Sequence, residues 1–328
     1  MFYPSEKEFT KLSKKGNLIP VYKEIVADME TPVSAFKKIE SEYSFLLESV
    51  EGGEKIARYS FLGSCGKGQV ARPKTFEEIR NILKKYRPVE VAGLPRFSGG
   101  LVGYVGYDAV RLIEKIPDTN PDDLKLPMMQ FMLADTVLAF DHIKHKILII
   151  ANAHVSGSPK RAYEQASARI AALEKKLDKN INLKREELEV PAPARGAFHA
   201  RSNLTKAEFE AMVRKAKAYI NAGDIIQVVP SQRFEMKLKA DPLGVYRILR
   251  IINPSPYMYF LRLGDVKIIG SSPEVMVRLE KGRATLRPIA GTRKRGKDEE
   301  EDRRLMANLL ASKKERAEHV MLVDLGRN

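Results

Sequence analysis

The ten residues from Arg287 to Gly296, Arg-Pro-Ile-Ala-Gly-Thr-Arg-Lys-Arg-Gly, set cations on both sides of the small pair Gly291-Thr292. Backbone and a hydroxyl can approach an anion closely there, inside a positive field. Glu315, Glu318, His319 and Leu322 fall at i, i+3, i+4 and i+7, on one face of a helix. Two carboxylates one turn apart suit a hard cation such as Mg²⁺, which prefers oxygen ligands and keeps waters for a substrate. The plainer reading of that spacing is a solvated helix face with a Glu–His contact. Glu274, in Ser271-Ser272-Pro273-Glu274, leaves a hairpin and enters a strand; partly buried it would serve as a general acid, and otherwise it is an edge-strand charge. Gln227 sits among Ile225-Ile226-Gln227-Val228-Val229, and a polar side chain inside a buried strand needs either a core partner or a ligand. Asn253-Pro254-Ser255-Pro256-Tyr257-Met258 is a turn fixed by two prolines, cheap to order around a ligand and equally readable as an ordinary loop.

These groups need elements to hold them. The pattern gives a strand over 43–50 ending at the Gly52-Gly53 turn, and a helix over 75–86 with Phe76, Ile79, Ile82 and Leu83 on one face. Glycines at 100, 103 and 106 superficially resemble a dinucleotide loop. Their spacing by three, with no strand–turn–helix to follow, favours a strand whose backbone packs closely. A hairpin is expected from 136–140 and 146–151, then a helix from Ser158-Pro159 to about Leu177. Residues 178–202 are charged and then rich in Pro, Ala and Gly, as in a linker. Beyond it Thr205-Lys206-Ala207-Glu208 is a capping box, Phe209 to Ile220 carry one apolar face, and Gly223 ends the helix. Ile225–Val229 is expected as a buried strand, 257–263 and 266–269 as a hairpin, and 274–279 and 284–286 as a continuation of that sheet. Helices over 297–314 and 315–325 close the chain. The expected division is residues 1–190 and 191–328.

Composition bounds the function. A chain of 328 residues with 44% hydrophobic content can form a large core. A net charge of +15 implies affinity for anions without naming them. The basic run is followed at once by Asp298-Glu299-Glu300-Glu301-Asp302, which would repel a phosphate backbone, and aromatics are not interleaved with the cations, so a nucleic-acid partner is not expected. The lone Cys65 allows no internal disulfide and points to a reducing, cytoplasmic setting. The opening residues lack a signal-peptide pattern, apolar runs are too short for a membrane span, and the five histidines lack HExxH spacing.

Taken in order, the motifs resemble those of the chorismate-using enzymes, and most closely the large-subunit (component I) family of anthranilate synthases. The matching runs are Leu46 to Lys55, Arg58 to Phe61, Gly99 to Tyr104, Gly223 to Gln232, Asn253 to Met258, Ser271 to Glu274, Arg287 to Gly296, and Glu315 to Asn328. The resemblance implies an α+β fold, with two large antiparallel sheets packed face to face and helices outside. It implies an N-terminal regulatory lobe and a C-terminal catalytic lobe. The implied reaction takes chorismate and ammonia to anthranilate and pyruvate with Mg²⁺, the ammonia coming from glutamine through an amidotransferase subunit (component II). By resemblance, Gly291 and Thr292 contact substrate, Glu318 is a Mg²⁺ ligand, and Glu315 lines the same site. Glu274 is placed to protonate the leaving hydroxyl, and Gln227 stands in the catalytic set. Glu48, Ser49, Arg58, Asn253, Pro256, Tyr257 and Met258 match a site for tryptophan as feedback inhibitor. Aminodeoxychorismate synthases commonly carry Lys where Ala290 stands, and isochorismate synthases carry Lys at Gln227. Alanine cannot attack the ring and glutamine cannot deprotonate water, so both positions favour ammonia as nucleophile. Family members continue past the position of Asn328, so little or no activity is expected of the chain alone. The alternatives are an aminodeoxychorismate or isochorismate synthase relative, or a non-catalytic tryptophan-binding fragment.

Overall fold

A computed structural model describes residues 1–49, 58–179 and 200–327. The Gly52-Gly53 turn and most of the expected linker lie outside the described residues. Contacts divide the chain into two units, one of residues 1–182 with 242–328 and the other of residues 183–241.

The first unit is organised by a seven-stranded antiparallel sheet. Its strands are β1 (Leu18–Val26), β2 (Tyr43–Glu48), β3 (Tyr59–Cys65), β7 (Thr136–Asp141), β8 (Lys146–His154), β11 (Tyr257–Leu263) and β12 (Val266–Ser272), in the order β1-β8-β7-β3-β2-β11-β12. β7 is buried along its whole length and β8 along nearly all of it, which is why both read as continuous apolar runs rather than alternating ones. One face of the sheet packs on helices: α1 (Glu6–Leu12), α2 (Pro32–Ile39), α4 (Pro159–Leu177) and α6 (Pro242–Ile252) contribute Phe9, Phe36, Ile170 and Tyr246 to the core that also holds Leu46, Leu138, Ile149 and Phe260. The other face packs on a three-stranded antiparallel sheet of β4 (Val70–Ala71), β6 (Met129–Ala134) and β5 (Gly100–Val105), with Phe45, Val137 and Leu261 against Met132, Ala134 and Val102. The second described sheet is thus the smaller, and helices take the outer face.

Several local expectations follow the structure closely. Thr75 caps α3 (Phe76–Leu83), and Ser158 caps α4 with Pro159 in its first turn. The glycine-rich stretch is β5, and a side chain on Gly103 would come within 1.9 Å of the Gln130 carbonyl oxygen, so glycine is required by the close strand approach. The 257–272 hairpin forms as expected and joins the N-terminal strands, β11 pairing with β2.

Three expectations are corrected. Residues 274–286 do not continue the large sheet: β13 (Arg278–Glu280) and β14 (Arg283–Thr285) pair only with each other across Lys281-Gly282, both at positive φ. The boundary between the last two helices falls at Ser312, giving α7 (Glu299–Ala311) and α8 (Lys313–Arg327), because Ser312 takes an extended backbone that ends the first helix. In the second unit the capping box of α5 (Lys206–Ala222) and the left-handed Gly223 that ends it are present. Ile225–Val229, however, is neither strand nor core: Ile226 and Val229 are 79% and 80% exposed. A strand needs a partner for its ladder. Among the described residues the only pairing in this unit is between the two-residue β9 (Arg201–Ser202) and β10 (Phe234–Glu235).

Candidate functional site

The basic run is held against α8 by its smallest residue. A side-chain carbon on Gly291 would lie 2.0 Å from Glu315 Oε2 and 2.9 Å from Glu315 Cβ, so the Gly291 backbone rests directly on the first turn of α8. Arg293 fixes this contact: Nη1 stands 3.3 Å from Glu315 Oε1 and donates at 2.8 Å to the Thr292 carbonyl, while Nε donates to Asn308 Oδ1 at 3.0 Å. Glu274 enters from the other side; it is exposed and lies between β12 and β13 rather than partly buried in a strand, and its Oε1 accepts the Ile289 N–H at 3.0 Å. Ser272 Oγ orients that glutamate by accepting its N–H and donating to its carbonyl. Glu274, Gly291, Thr292 and Glu315 are therefore brought together, with half-buried Glu318 one turn along α8.

The cations further along the run are matched by the acidic start of α7. Arg295 pairs with Asp302 at 2.7 Å, and the Gly296 N–H reaches the other oxygen of that carboxylate at 2.7 Å. These two contacts hold the Asp302 carboxyl below its ordinary range, the Gly296 N–H being the larger. Gln227 lies exposed in the second unit, in a stretch without regular structure, rather than in a buried strand. The donors on α8 fit a cation that takes one or two protein carboxylates and fills its sphere with water and substrate oxygens. Glu318 has no ion pair among the described residues, whereas Glu315 is shared with Arg293. Among the described residues no group of three His, Cys, Asp or Glu side chains is gathered as a metal cluster.

The two segments expected around a small effector are neighbours in the sheet. Glu48 lies opposite Met258 in the β2–β11 ladder, so Glu48-Ser49 and Asn253–Met258 meet at one sheet end. Glu48 is 4% exposed. Burial raises its carboxyl above the ordinary value, against the opposing pull of Arg250 and of the hydrogen bond from Tyr246. The turn is tied down from within: Ser271 Oγ donates to Ser255 Oγ at 2.7 Å and lies 2.8 Å from the Asn253 carbonyl. Pro256 and Tyr257 are half-buried beside it. Arg58 is committed to Asp141, in a two-point contact of 3.2 and 2.7 Å, and its guanidinium lies 4.8 Å from the centre of the Tyr59 ring. Burial alone would raise the Asp141 carboxyl; Arg58 and the Lys144 and Ile143 N–H groups hold it below its ordinary range. Next to it His142 is paired with Ser60 Oγ at 2.7 Å, and burial, with the Arg250 charge, lowers its pKa.

Sequence reasoning missed Tyr246 and Arg250. Both lie on α6, four residues apart, and both reach Glu48. The available signal was a Tyr and an Arg at i, i+4 spacing in a mostly apolar helix, which also carries Arg247 and runs straight into Asn253-Pro254.

A family model described as chorismate binding enzyme matches residues 42–328. Anthranilate synthase component 1 from Acetivibrio thermocellus is 46% identical over 358 aligned residues, covering 100% of this chain and 70% of that protein. Its counterpart from Aquifex aeolicus is 44% identical, covering 99% of this chain and 69% of the relative. Among solved structures, anthranilate synthase component I from Streptococcus pneumoniae superposes with a TM-score of 0.62 at 30% identity, covering 93% of this chain and 67% of that one. The menaquinone-specific isochorismate synthase from Escherichia coli matches at a TM-score of 0.54 and 14% identity, over 97% of this chain and 66% of that one, a likeness of fold alone.

Proposed function

The chain belongs to the chorismate-binding enzymes, and from that premise we propose that it is the chorismate-binding subunit of an anthranilate synthase. In this reading ammonia adds at the ring carbon next to the carboxylate-bearing one as the 4-hydroxyl departs as water, and cleavage of the enolpyruvyl ether then releases pyruvate and leaves the aromatic ring of anthranilate. The observation that carries it is the packing of the Gly291-Thr292 backbone on Glu315, with Glu274 tied to the same run through Ile289. That arrangement sets an approachable backbone, a hydroxyl and acidic groups within one small region, as a carboxylate-bearing ring with a leaving hydroxyl requires.

Each side chain has a task there. The Gly291-Thr292 backbone and the Thr292 hydroxyl bind and orient the substrate carboxylates. Arg293 keeps Glu315 in place and contributes positive charge to the run. Glu274 gives its proton to the departing hydroxyl, and the Ile289 N–H holds it in position for that. Ala290 offers no amine to attack the ring, which leaves free ammonia as nucleophile. Glu318, with Glu315 beside it, would hold Mg²⁺, which when bound stabilises negative charge on the ring carboxylate.

The finer reading includes an amidotransferase subunit that delivers ammonia from glutamine, inhibition by tryptophan at the Glu48–Met258 end of the sheet, and a cytoplasmic setting. No helix among the described residues is long and apolar enough to cross a membrane. The test is product formation from chorismate with ammonium ion and Mg²⁺, followed by anthranilate fluorescence and chromatography, with the chain alone and with an amidotransferase subunit plus glutamine. Anthranilate that disappears on chelation supports the reading. Aminodeoxychorismate or isochorismate as the product would overturn it.

A further inference from the structure

The Glu48 end of the large sheet also carries Asp141, Lys146 and Val26; at the opposite end Leu18 and His154 face each other across β1 and β8. A cavity of about 540 Å³ opens there. Small residues make room for it: Ala134 of β6, Ala153 of β8 and Ala162 in the first turn of α4 all line it. Its walls are otherwise largely apolar, with Leu18, Pro20 and Val89, and with Tyr86, whose ring meets that of His154 edge-on at 5.3 Å. Leu83, the last residue of α3, lines it too, yet is 46% exposed, and no residue of α3 is buried. One cation stands in this setting. Half-buried Arg169 shares a face of α4 with Ala162 and Gln165. Its Nη2 donates to the Asn152 carbonyl at 2.8 Å, its Nε–H is buried without a hydrogen-bond partner, and among the described residues it forms no ion pair. Asn152, 7% exposed, is fixed in turn by its own amide group, which donates to the Ser98 and Asp135 carbonyls at 2.7 and 3.3 Å. A guanidinium has five donors, and in a folded chain one so placed is normally satisfied. An apolar cavity of this volume with a few convergent polar groups is the form that small-molecule sites take.

We propose that this cavity is a binding site for a small monocarboxylate with an apolar ring body, Arg169 taking the carboxylate and Leu18, Pro20, Tyr86 and Val89 enclosing the ring. Asn152 is a positioning residue, holding the guanidinium through its main-chain carbonyl. A planar guanidinium matches a carboxylate in charge and in shape, whereas a neutral analogue forfeits the charge and an amine is repelled by it. Asp135 borders the same cavity and disfavours a second anionic group on the ligand. None of the residues from Glu274 to Glu318, and none at the Glu48 end, lines the cavity, so its occupation does not depend on the proposed reaction.

Calorimetry on the whole chain tests it with three probes: 2-naphthoate, its neutral analogue 2-naphthamide, and naphthalene-2,6-dicarboxylate. The wild type is expected to bind 2-naphthoate about fivefold or more tighter than either of the others. Arg169→Gln is expected to weaken 2-naphthoate by about tenfold or more while leaving 2-naphthamide within about twofold. Ala162→Leu, which fills the cavity from α4, should weaken both by a similar factor. Gln165→Glu sets a negative charge at the exposed rim, and should weaken 2-naphthoate severalfold while sparing 2-naphthamide. Should Arg169→Gln fail to fold, Gln165→Glu decides in its place, since that side chain is exposed. Equal losses for 2-naphthoate and 2-naphthamide in Arg169→Gln, or no loss for either, overturn the site. Unchanged binding of 2-naphthoate by Ala162→Leu puts the ligand elsewhere and overturns it as well. So does a dicarboxylate that binds as tightly as 2-naphthoate, or a wild type that binds no 2-naphthoate.

Discussion

Gly291→Ala puts the packing of the candidate active site to a direct test. The new methyl carbon would meet Glu315 Oε2 at 2.0 Å, Cδ at 2.6 Å and Cβ at 2.9 Å. Rotating the Glu315 side chain clears the first two, since a carboxylate end must retreat by about 1.4 Å and can do so by changing rotamer. It cannot clear the third, because Cβ is fixed to the α8 backbone. The loop itself must therefore lift by about 0.5 Å to restore ordinary contact, and the Arg293–Glu315 pair is broken on the way. Overpacking of this kind costs about 1–3 kcal/mol, and the low end applies where one side of the contact is an exposed loop. The run from Arg287 to Lys297 carries several trypsin sites, so its local opening can be read as a cleavage rate. When opening is fast relative to cleavage, a loss of about 1.4 kcal/mol appears as a roughly tenfold faster cut. Limited trypsinolysis followed by mass spectrometry of cuts within 287–297 is the assay, with cuts elsewhere as internal standard. A second arm replaces Glu315 by Gly, which removes Cβ together with the carboxylate and should make the substitution at Gly291 less damaging. Cleavage of Gly291→Ala within about twofold of wild type, or an equal effect in both backgrounds, would refute the contact as the reason glycine stands there. Chorismate affinity should fall with it, because the lifted backbone is the one proposed to hold the substrate carboxylates.

What the sequence revealed depended on whether an element is decided locally or by its partners. Ser158-Pro159, Thr205 with Glu208, and Gly223 specify helix ends within a few residues, and all three act as read. The buried strands were legible because both faces of β7 and β8 are covered, which leaves an apolar run with little ambiguity. Ile225–Val229 has the same composition and fails as a strand, since composition supplies propensity but no ladder partner. The short ribbon of β13 and β14 failed for a related reason: nothing in Glu274 to Thr285 states which edge it must join. At the candidate sites, Gly291, Glu315 and Glu274 were found from residue type and order, yet the contact that unites them is a missing side chain, visible only in three dimensions. Tyr246 and Arg250 were overlooked because their partner Glu48 lies about two hundred residues away, and no local pattern links a helix to a distant strand end.

Three further outcomes are expected. Gly103→Ala, with no space between β5 and the backbone of β6, should destabilise the first unit by about 2 kcal/mol or more in urea unfolding, and a cost under about 0.5 kcal/mol would contradict the close approach. Cys65, whose thiol burial pushes up to about 12, should react with a disulfide reagent at pH 8 only as fast as the protein unfolds; rapid labelling of the native chain would show that the side chain is accessible. The last concerns Glu48, whose folded pKa stands above the ordinary 4.5 chiefly because it is buried. An acid raised in the folded state is held less comfortably when ionised, so above the folded pKa it lowers stability. As pH falls through the folded pKa the native carboxyl takes up a proton that the unfolded chain does not yet bind, and stability from this group increases until the unfolded value is reached. Glu48→Gln is neutral throughout and lacks that gain. The difference in urea midpoint between wild type and Glu48→Gln should therefore move in favour of wild type as pH is lowered from 8 to 5. A difference that stays constant, or moves the other way, would mean that Arg250 and Tyr246 outweigh burial and hold Glu48 as a stable anion.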